Sequence, residues 1–248
     1  MSPSPLISII TVTYNVENEI ERTLNSIKQQ SFTNFEHLII DGDSKDKTLA
    51  IVKANVITNS SIVSEPDKGL YDAMNKGLGL AKGKYVIFLN AGDTFFNSNT
   101  LEHYADAAGE NYDIIYGDTV IVDDKDKIIS RRHLNVPEKL EFKSFSKGML
   151  ICHQAFMVKK QLTEPYDLKY HFSADYDWCV KCIKKSSPEK CFNLNTDTIR
   201  YLSDGLTDKN KIKSLKERFQ IMCNHYGVAS TLKNHMFFVF RSLKRGSL

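Results

Sequence analysis

Acidic and amide side chains recur in this 248-residue chain directly after short apolar runs. They fall in four clusters, Thr11–Asn15, Asp41–Asp46, Glu65–Gly69 and Asn90–Asp93. In an open α/β sheet such positions are the carboxyl ends of strands, where ligands bind. Carboxylates there repel a bare phosphate. They can instead accept hydrogen bonds from a base or a ribose, or bind a divalent cation that neutralises a diphosphate. A dinucleotide fold would need G-x-G-x-x-G after the first strand. The residues there are TVTYNVEN, without a glycine, and no P-loop pattern occurs anywhere. A second carboxylate group, Asp175 and Asp177, opens an apolar stretch far downstream.

The elements that must carry these groups are legible from periodicity. Leu6–Thr13, Phe35–Ile40, Ile62–Ser64 and Tyr85–Leu89 are short, mostly β-branched runs of the kind buried on both sheet faces. Between them lie helices: one carrying Ile20, Leu24 and Ile27, one from Lys47 to Asn55, and one from Leu70 to Leu80 ended by Gly83. Four strand–helix alternations within 90 residues predict a parallel, doubly wound sheet. Beyond Asn90 the rhythm changes. Asp113–Val122 and Ile128–Arg131 read as strands joined by a hairpin, Phe156–Val158 and Cys191–Leu202 as further strands, and Tyr176–Lys185, Asn210–Tyr226 and Leu232–Lys244 as helices. Domain 1–208 thus divides into a nucleotide-binding half, 1–93, and an acceptor half, 94–208, followed by a basic helical segment, 209–248.

Composition excludes disordered, collagenous and disulfide-scaffold classes: 42% of residues are hydrophobic and 25% charged. The net charge of +3 conceals an asymmetry. From Lys209 onward nine basic residues face a single acid, Glu217, so this segment carries +8 and the rest −5. Five cysteines (152, 179, 182, 191 and 223) form no even framework, and Cys179 and Cys182 lack further ligands at zinc spacing. Met1–Pro5 shows no charged-then-apolar leader pattern, and Met236–Phe240 is too short an apolar run to span a bilayer. The expectation is a cytoplasmic protein with reduced thiols, located at the inner face of the plasma membrane if its tail binds there.

Taken together, the blocks ISIITVTYN, LIIDGDSKDKT, SEPDKGLYDAMNKGLGLAKGKYVIFLNAGD, HQAFMV and FSADYDW resemble the family 2 glycosyltransferases. These are inverting enzymes of the GT-A fold that take sugars from nucleotide diphosphates. The similarity runs from Ile7 to about Asp177, with a looser echo to Thr207, and leans toward the bacterial capsule, O-antigen and exopolysaccharide subgroup. It implies a Rossmann-like, mostly parallel central sheet flanked by helices. It implies donor-nucleotide contacts at Thr11, Tyr14, Asn15, Asp41, Asp67 and Asn75, with UDP the family's commonest nucleotide. A Mn²⁺ or Mg²⁺ ion is expected on Asp93, with Asn90, His153 and Gln154 lining the donor-sugar and acceptor pocket. Asp175 falls on the catalytic base.

The chain departs from the pattern in several places. Asn90 and Gly92 replace acids of the metal motif, Met74 stands where many members carry arginine beside Asn75, and Ala174 replaces the glutamate before the base. Ser203–Thr207 only echoes a Gly-Gly-x-Ser loop. Structural alternatives stand beside these roles: Asp41–Ser44 also reads as a helix-capping turn with Ser44 or Asp46 as the cap, Tyr14 as packing, Asp93 as a cap, and Asp175 as an N-cap with Asp177 as alternate base. Asp72 helps position the donor or its loop, or is structural.

In the tail, Ile212, Leu215, Phe219, Met222 and Tyr226 recur at helical spacing and are expected to pack on the body. Residues 232–245 differ: Leu232, Met236, Val239, Phe240 and Leu243 share a face flanked by Lys233, Arg241, Lys244 and Arg245. That pattern suits an anionic membrane surface, where a polyprenyl-diphosphate-linked saccharide acceptor of the resembled subgroup would reside. The alternatives are a helix covering the core or a subunit interface. The aromatics of the tail sit on an apolar face rather than among the charges, which argues against nucleic acid as a partner. The competing functional class is a degenerate sugar-nucleotide-binding protein, motivated by the acids missing at 90, 92 and 174.

Overall fold

The computed structural model describes residues 4–203 and 211–244. Every residue of β1 (Ile7–Thr13) is buried, because the strand lies in mid-sheet with parallel partners on both sides. These partners are β2 (Phe35–Asp41) and β4 (Tyr85–Phe88), and β3 (Ser60–Ser64) extends the sheet beyond β2. The crossovers run through α1 (Ile20–Lys28), α2 (Thr48–Asn55) and α3 (Leu70–Leu80). The predicted stripe of α1 is its buried face: Ile20, Leu24 and Ile27 are each no more than 3% exposed. Helix α3 approaches β1 so closely that a β-carbon on Gly77 would run into the Ile10 side chain. The order β3-β2-β1-β4 reverses direction at β1, so the crevice between the ends of β1 and β4 is a topological switch point.

The second half adds strands of the other sense. β6 (Ile114–Val122) forms a hairpin with β7 (Ile128–Arg131), while β8 (Phe156–Lys159) lies antiparallel between β4 and β6. β9 (Cys191–Leu202) runs parallel to β6, and β5 (Thr94–Phe95) pairs antiparallel with β9. The sheet is parallel through β1–β4, as expected, and again between β6 and β9, while the nine strands of the described residues together form a mixed sheet. The cause is β8, which enters against β4 and turns the remaining strands. One helix escaped the sequence reading, α4 (Thr100–Gly109), although its buried Leu101, Tyr104, Ala105 and Ala108 recur at helical spacing.

Among the described residues three further helices follow: α5 (Ala174–Lys185), α6 (Lys211–Tyr226) and α7 (Val228–Lys244). Gly227, at φ 81°, makes the turn between the last two, and Phe219 meets His235 edge to face across them at 4.9 Å. The expected apolar stripe of α6 packs on the body in its second half, where Met222 is buried and Phe219 and Tyr226 are half-buried, but not at its start. Ile212 and Leu215 are 84% and 60% exposed, whereas Ser214, Ile221 and Met222 are buried. Polar contacts of Ser214, Glu217 and His225 with the body set the helix rotation and turn the first apolar pair outward. Among the described residues, no helix is long and apolar enough to cross a membrane. Residues 204–207 of the Ser203–Thr207 echo, and the side chains of the tail beyond Met236, lie outside the described residues.

His37 on β2 is buried against the Thr11 hydroxyl at 3.0 Å, and burial pushes its pKa down to about 3. The unfolded chain, with an ordinary imidazole near 6.5, binds the extra proton. The neutral ring's contribution to stability is therefore full above about pH 6.5 and is lost as pH falls toward 3. Thermal unfolding at pH 7, 6 and 5 should show stability declining with acidification by up to about 1.4 kcal/mol per pH unit from this group. His37→Gln should flatten that slope; an unchanged slope would exclude His37 as its source.

Candidate functional site

At the ends of β1 and β2 the chain builds a polar shelf. Asp41 is fully buried and accepts four hydrogen bonds: Thr13 Oγ1 (3.0 Å) and Ser44 Oγ (2.5 Å) to one oxygen, Ser44 N (3.1 Å) and Ser64 Oγ (2.7 Å) to the other. Burial works to raise its pKa, but the donors from Ser44, Ser64 and Thr13 outweigh it and hold the carboxyl below the usual range. Asp41 thus organises the turn after β2. Just ahead of α2, the Asp46 carboxylate accepts from Thr48 N (2.9 Å) and Glu17 N (3.1 Å) and so ties the start of the helix to the β1 loop. Asn15, at φ 51°, locks the two strand ends together: its amide N donates to Ser44 Oγ (2.9 Å) and its side-chain oxygen accepts from Lys45 N (2.8 Å).

Above this turn Tyr14 stands 61% exposed. A β-carbon on Gly42 would collide with the Asp67 carboxylate and touch the Tyr14 ring, so Gly42 is the floor on which these two side chains meet. Asp67 Oδ1 accepts from Gly69 N at 2.7 Å, and Asp72 accepts from Lys68 N at 3.0 Å, fixing the entry to α3. The structure brings Tyr14, Asn15, Asp67 and the Asp41 turn together. It does not bring Thr11 to them, because the Thr11 side chain is buried against His37.

The loop after β4 is held from three directions. Gly92, at φ 95°, makes its turn, and Thr23 on α1 binds both flanks, accepting from Gly92 N (2.9 Å) and donating to the Asp93 carbonyl (2.8 Å). The Asp93 carboxylate accepts from Leu202 N at the end of β9 (3.0 Å) and from Gln154 Nε2 (2.6 Å). Burial pushes its pKa up to about 7, against the pull of these two donors and the charge of Arg22. Beside it, Asn90 Oδ1 is buried without a protein partner. An unmade buried acceptor costs about 1–3 kcal/mol, which a bound cation or hydroxyl would offset.

These features fit a divalent metal: a carboxylate destabilised by burial and an orphaned amide oxygen offer two oxygen ligands. Among the described residues no three His, Cys, Asp or Glu side chains form a metal-binding group. Diphosphate oxygens and water would therefore have to complete the shell, as is usual for Mg²⁺ at phosphate sites.

In the second half of the chain, α5 presents Asp175 half-buried at its first turn, where the Tyr71 hydroxyl donates to it at 3.1 Å. Asp177 is engaged elsewhere, with His225 Nε2 at 2.7 Å and Lys181 Nζ at 2.7 Å. Despite burial, these two partners hold Asp177 below the usual carboxyl range. Tyr71 stacks on Tyr166 (5.6 Å between centroids), which stacks on Trp178 (5.1 Å). His153 shares a 2.7 Å hydrogen bond with the Tyr166 hydroxyl and stacks on Phe88 at 4.9 Å. Burial drives the His153 pKa down to about 4, with the Asp175 charge working the other way, so the ring is neutral near pH 7.

Asn75 spends both functions of its amide on the Tyr166 backbone, at 3.0 and 2.7 Å, and so fixes an aromatic wall instead of reaching a nucleotide. His153 and Gln154 are consecutive, one on that wall and the other on Asp93. Tyr71, Tyr166 and Thr23 were not singled out in the sequence. Tyr71 did stand inside the YDAMNKG block, whereas nothing local marks Thr23 or Tyr166.

The model of the family described as "Glycosyl transferase family 2" matches residues 8–164. Among curated relatives, a PGL/p-HBAD biosynthesis glycosyltransferase of Mycobacterium bovis is 32% identical over 196 residues, covering 72% of this chain and 70% of the relative. The Escherichia coli UDP-Glc:alpha-D-GlcNAc-diphosphoundecaprenol beta-1,3-glucosyltransferase WfgD is 24% identical over 219 residues, covering 88% and 85%. Among solved structures, Staphylococcus aureus TarS superposes with a TM-score of 0.70 at 18% identity. The match covers 95% of this chain, which spans only 43% of TarS. The mannosyltransferase PcManGT of Pyrobaculum calidifontis, solved with GDP-Man and Mn²⁺, gives 0.61 at 14% identity, covering 100% of this chain and 77% of that one. These structural likenesses show the fold. By the extent of the family match and the kinship with its relatives, the chain belongs to the family 2 glycosyltransferases and is built on the GT-A fold.

Proposed function

We propose that the protein moves a sugar, with inversion, from a nucleoside diphosphate to a hydroxyl of a polyprenyl-diphosphate-linked saccharide, in the assembly of a bacterial glycolipid or surface polysaccharide. The observation that carries this reading is the division of labour among three carboxylates. Asp93 is buried beside an orphaned oxygen, Asp177 is ion-paired with Lys181 and hydrogen-bonded to His225, and Asp175 is half-open with a hydroxyl donor. A base must be reachable and unpaired by cations, and of the two acids on α5 only Asp175 meets that condition.

The shelf of Tyr14, Gly42 and Asp67 suits a nucleobase and ribose: Tyr14 offers a face for the base and Asp67 a charge-assisted acceptor. UDP is the first candidate, since WfgD is named for UDP-Glc. Asp93 and Asn90 would hold Mn²⁺ or Mg²⁺, which when bound neutralises the departing diphosphate. Asp175 takes the proton of the acceptor hydroxyl as its oxygen attacks the anomeric carbon from the face opposite the diphosphate. The anomeric carbon–oxygen bond breaks, and its electron pair leaves with the diphosphate. Gln154 steadies Asp93, while Tyr71 holds Asp175 in place and leaves its second oxygen for the proton.

The tail supports a peripheral contact with the membrane that carries the acceptor. Exposed Leu232 and Met236 on α7 and Ile212 and Leu215 on α6 lie among exposed Lys213, Lys216 and Lys233. Apolar side chains ringed by cations match the headgroup boundary of an anionic bilayer.

Three outcomes are expected. Asp175→Asn should lower transfer by about 10²–10⁴-fold while sparing nucleotide binding; undiminished turnover would remove the base assignment. In thermal shift, a UDP-, GDP- or dTDP-sugar should stabilise the chain only together with Mn²⁺, and Asp93→Ala should abolish the joint shift. No metal-dependent shift with any of them would sink the donor reading. Co-sedimentation should show binding to phosphatidylglycerol vesicles that weakens with salt and with Leu232→Ser/Met236→Ser, and equal binding to neutral vesicles would exclude the electrostatic component.

A further inference from the structure

The basic C-terminal segment contains a helix that does more than follow the sheet. Helix α6 starts well beyond residue 164, where the family match ends, yet its inner face is bonded to the residues on either side of Asp175. The Glu217 carboxylate accepts from two consecutive backbone amides, His171 N and Phe172 N, each at 2.8 Å. Ser214 meets Ser173, the residue before α5, through buried hydroxyls 2.9 Å apart. His225 reaches Asp177, one residue past Tyr176, at 2.7 Å, and Asn224 Nδ2 donates to the Tyr170 hydroxyl at 3.1 Å. Four side chains along α6 thus hold positions 170 to 173 and 177, and Asp175 lies inside that bracket. Apart from Glu217, the segment from Lys209 onward holds no acid, so the one negative charge of the tail is spent on this contact.

We infer that Glu217 is a positioning residue for the catalytic base, and that α6 clamps the first turn of α5 so that Asp175 faces the acceptor. Residues 171–173 precede the helix and have no ladder of their own there; the two amides bound by Glu217 are backbone donors that water would otherwise compete for. Bidentate capture of both fixes the direction in which α5 starts, and with it the direction of the Asp175 side chain. Tyr71 approaches Asp175 from α3 on the donor side, so the carboxylate is set between a hydroxyl from one half and a clamp from the tail. A misplacement of about 1 Å at a reacting group can cost about 10²-fold in rate, so the clamp acts on turnover. The nucleotide shelf, built from the ends of β1, β2 and β3, shares none of these contacts.

This inference rests on Asp175 being the base, and the test separates the two claims. Trp178, on α5 and the only tryptophan in the chain, reports on the same turn. Glu217→Ala should speed deuterium exchange of the amides of residues 171–178, shift the Trp178 emission, and lower kcat by about tenfold to a hundredfold. The affinity for the UDP-sugar and Mn²⁺ pair should change by less than about twofold, because that shelf is independent of the clamp. Glu217→Gln, which keeps a side-chain oxygen acceptor, should fold like the parent and lie between the two in both exchange and kcat. Unchanged exchange at 171–178 in Glu217→Ala would overturn the clamp, and so would faster exchange with an unchanged kcat. A parallel loss of nucleotide affinity would reduce Glu217 to a general structural role and overturn the proposal as well. Transfer that survives Asp175→Asn would instead remove the base assignment, with the exchange result still reporting whether the clamp exists.

Discussion

The site hangs on the short loop after β4. Around Asp93 the two halves of the chain and a crossover helix meet in a single hydrogen-bonded knot. Gln154 and Leu202 hold its carboxylate, and Thr23 of α1 holds the backbone on both sides of it. A carboxylate is expensive to bury, and its raised pKa expresses that cost. The neighbouring Asn90 oxygen is left without a protein partner, so the knot concentrates unmet electrostatic demand at the switch point of the sheet. A bound cation would meet that demand.

From that knot the remaining parts follow in order. Next to Gln154, His153 joins an aromatic wall of Phe88, Tyr166, Trp178 and Tyr71, and the wall ends on Asp175. Asn75, on α3, fixes the wall through the Tyr166 backbone. The Asp93 loop and Asp175 are thus not two regions joined by a flexible link. They are two ends of one packed layer in which rings stack and polar tips are bonded, an arrangement that resists rotamer change. The tail closes the far end through Glu217, Ser214 and His225, while its other face leaves Ile212 and Leu215 open to solvent. A single helix therefore has a polar inner side that serves the body and an apolar outer side available to a surface.

Much of the scaffold was legible from residue order. The strands β1 to β4 and the helices between them follow from β-branched runs and a 3.6-residue period, and α3 and β9 begin and end where the pattern predicts. Mixed strand direction was not legible, because the direction of β8 depends on pairing with β4 across some seventy residues. Nor was the orientation of α6. Its apolar repeat at 212, 215, 219, 222 and 226 predicts one buried face, yet only the second half of that face packs; at the start of the helix Ser214 is buried while Ile212 and Leu215 are exposed. Three polar anchors outweigh two apolar residues, because Glu217 meets two backbone amides while Ser214 and His225 meet a buried hydroxyl and a buried carboxylate. The site divides in the same way. Asp93 and Asp175 are marked by their motifs. Thr11 and Asn75 carry the right chemistry at the right spacing, but one faces His37 and the other Tyr166.

The sequence by itself determined the family resemblance, the alternation that builds the nucleotide half, the acids at the strand ends and the basic bias of the tail. These are properties of local order: a run of β-branched residues is a strand, and a carboxylate after it lies at the strand's end, whatever the rest of the chain does. Only the tertiary structure decided which of those acids are free to act. Asp41 is saturated by four donors, Asp177 is ion-paired with a lysine and hydrogen-bonded to a histidine, Asp93 is buried beside an orphaned oxygen, and Asp175 is left half-open. The four carboxylates are the same chemical group, and what separates them is the number and charge of the partners that distant segments bring to each.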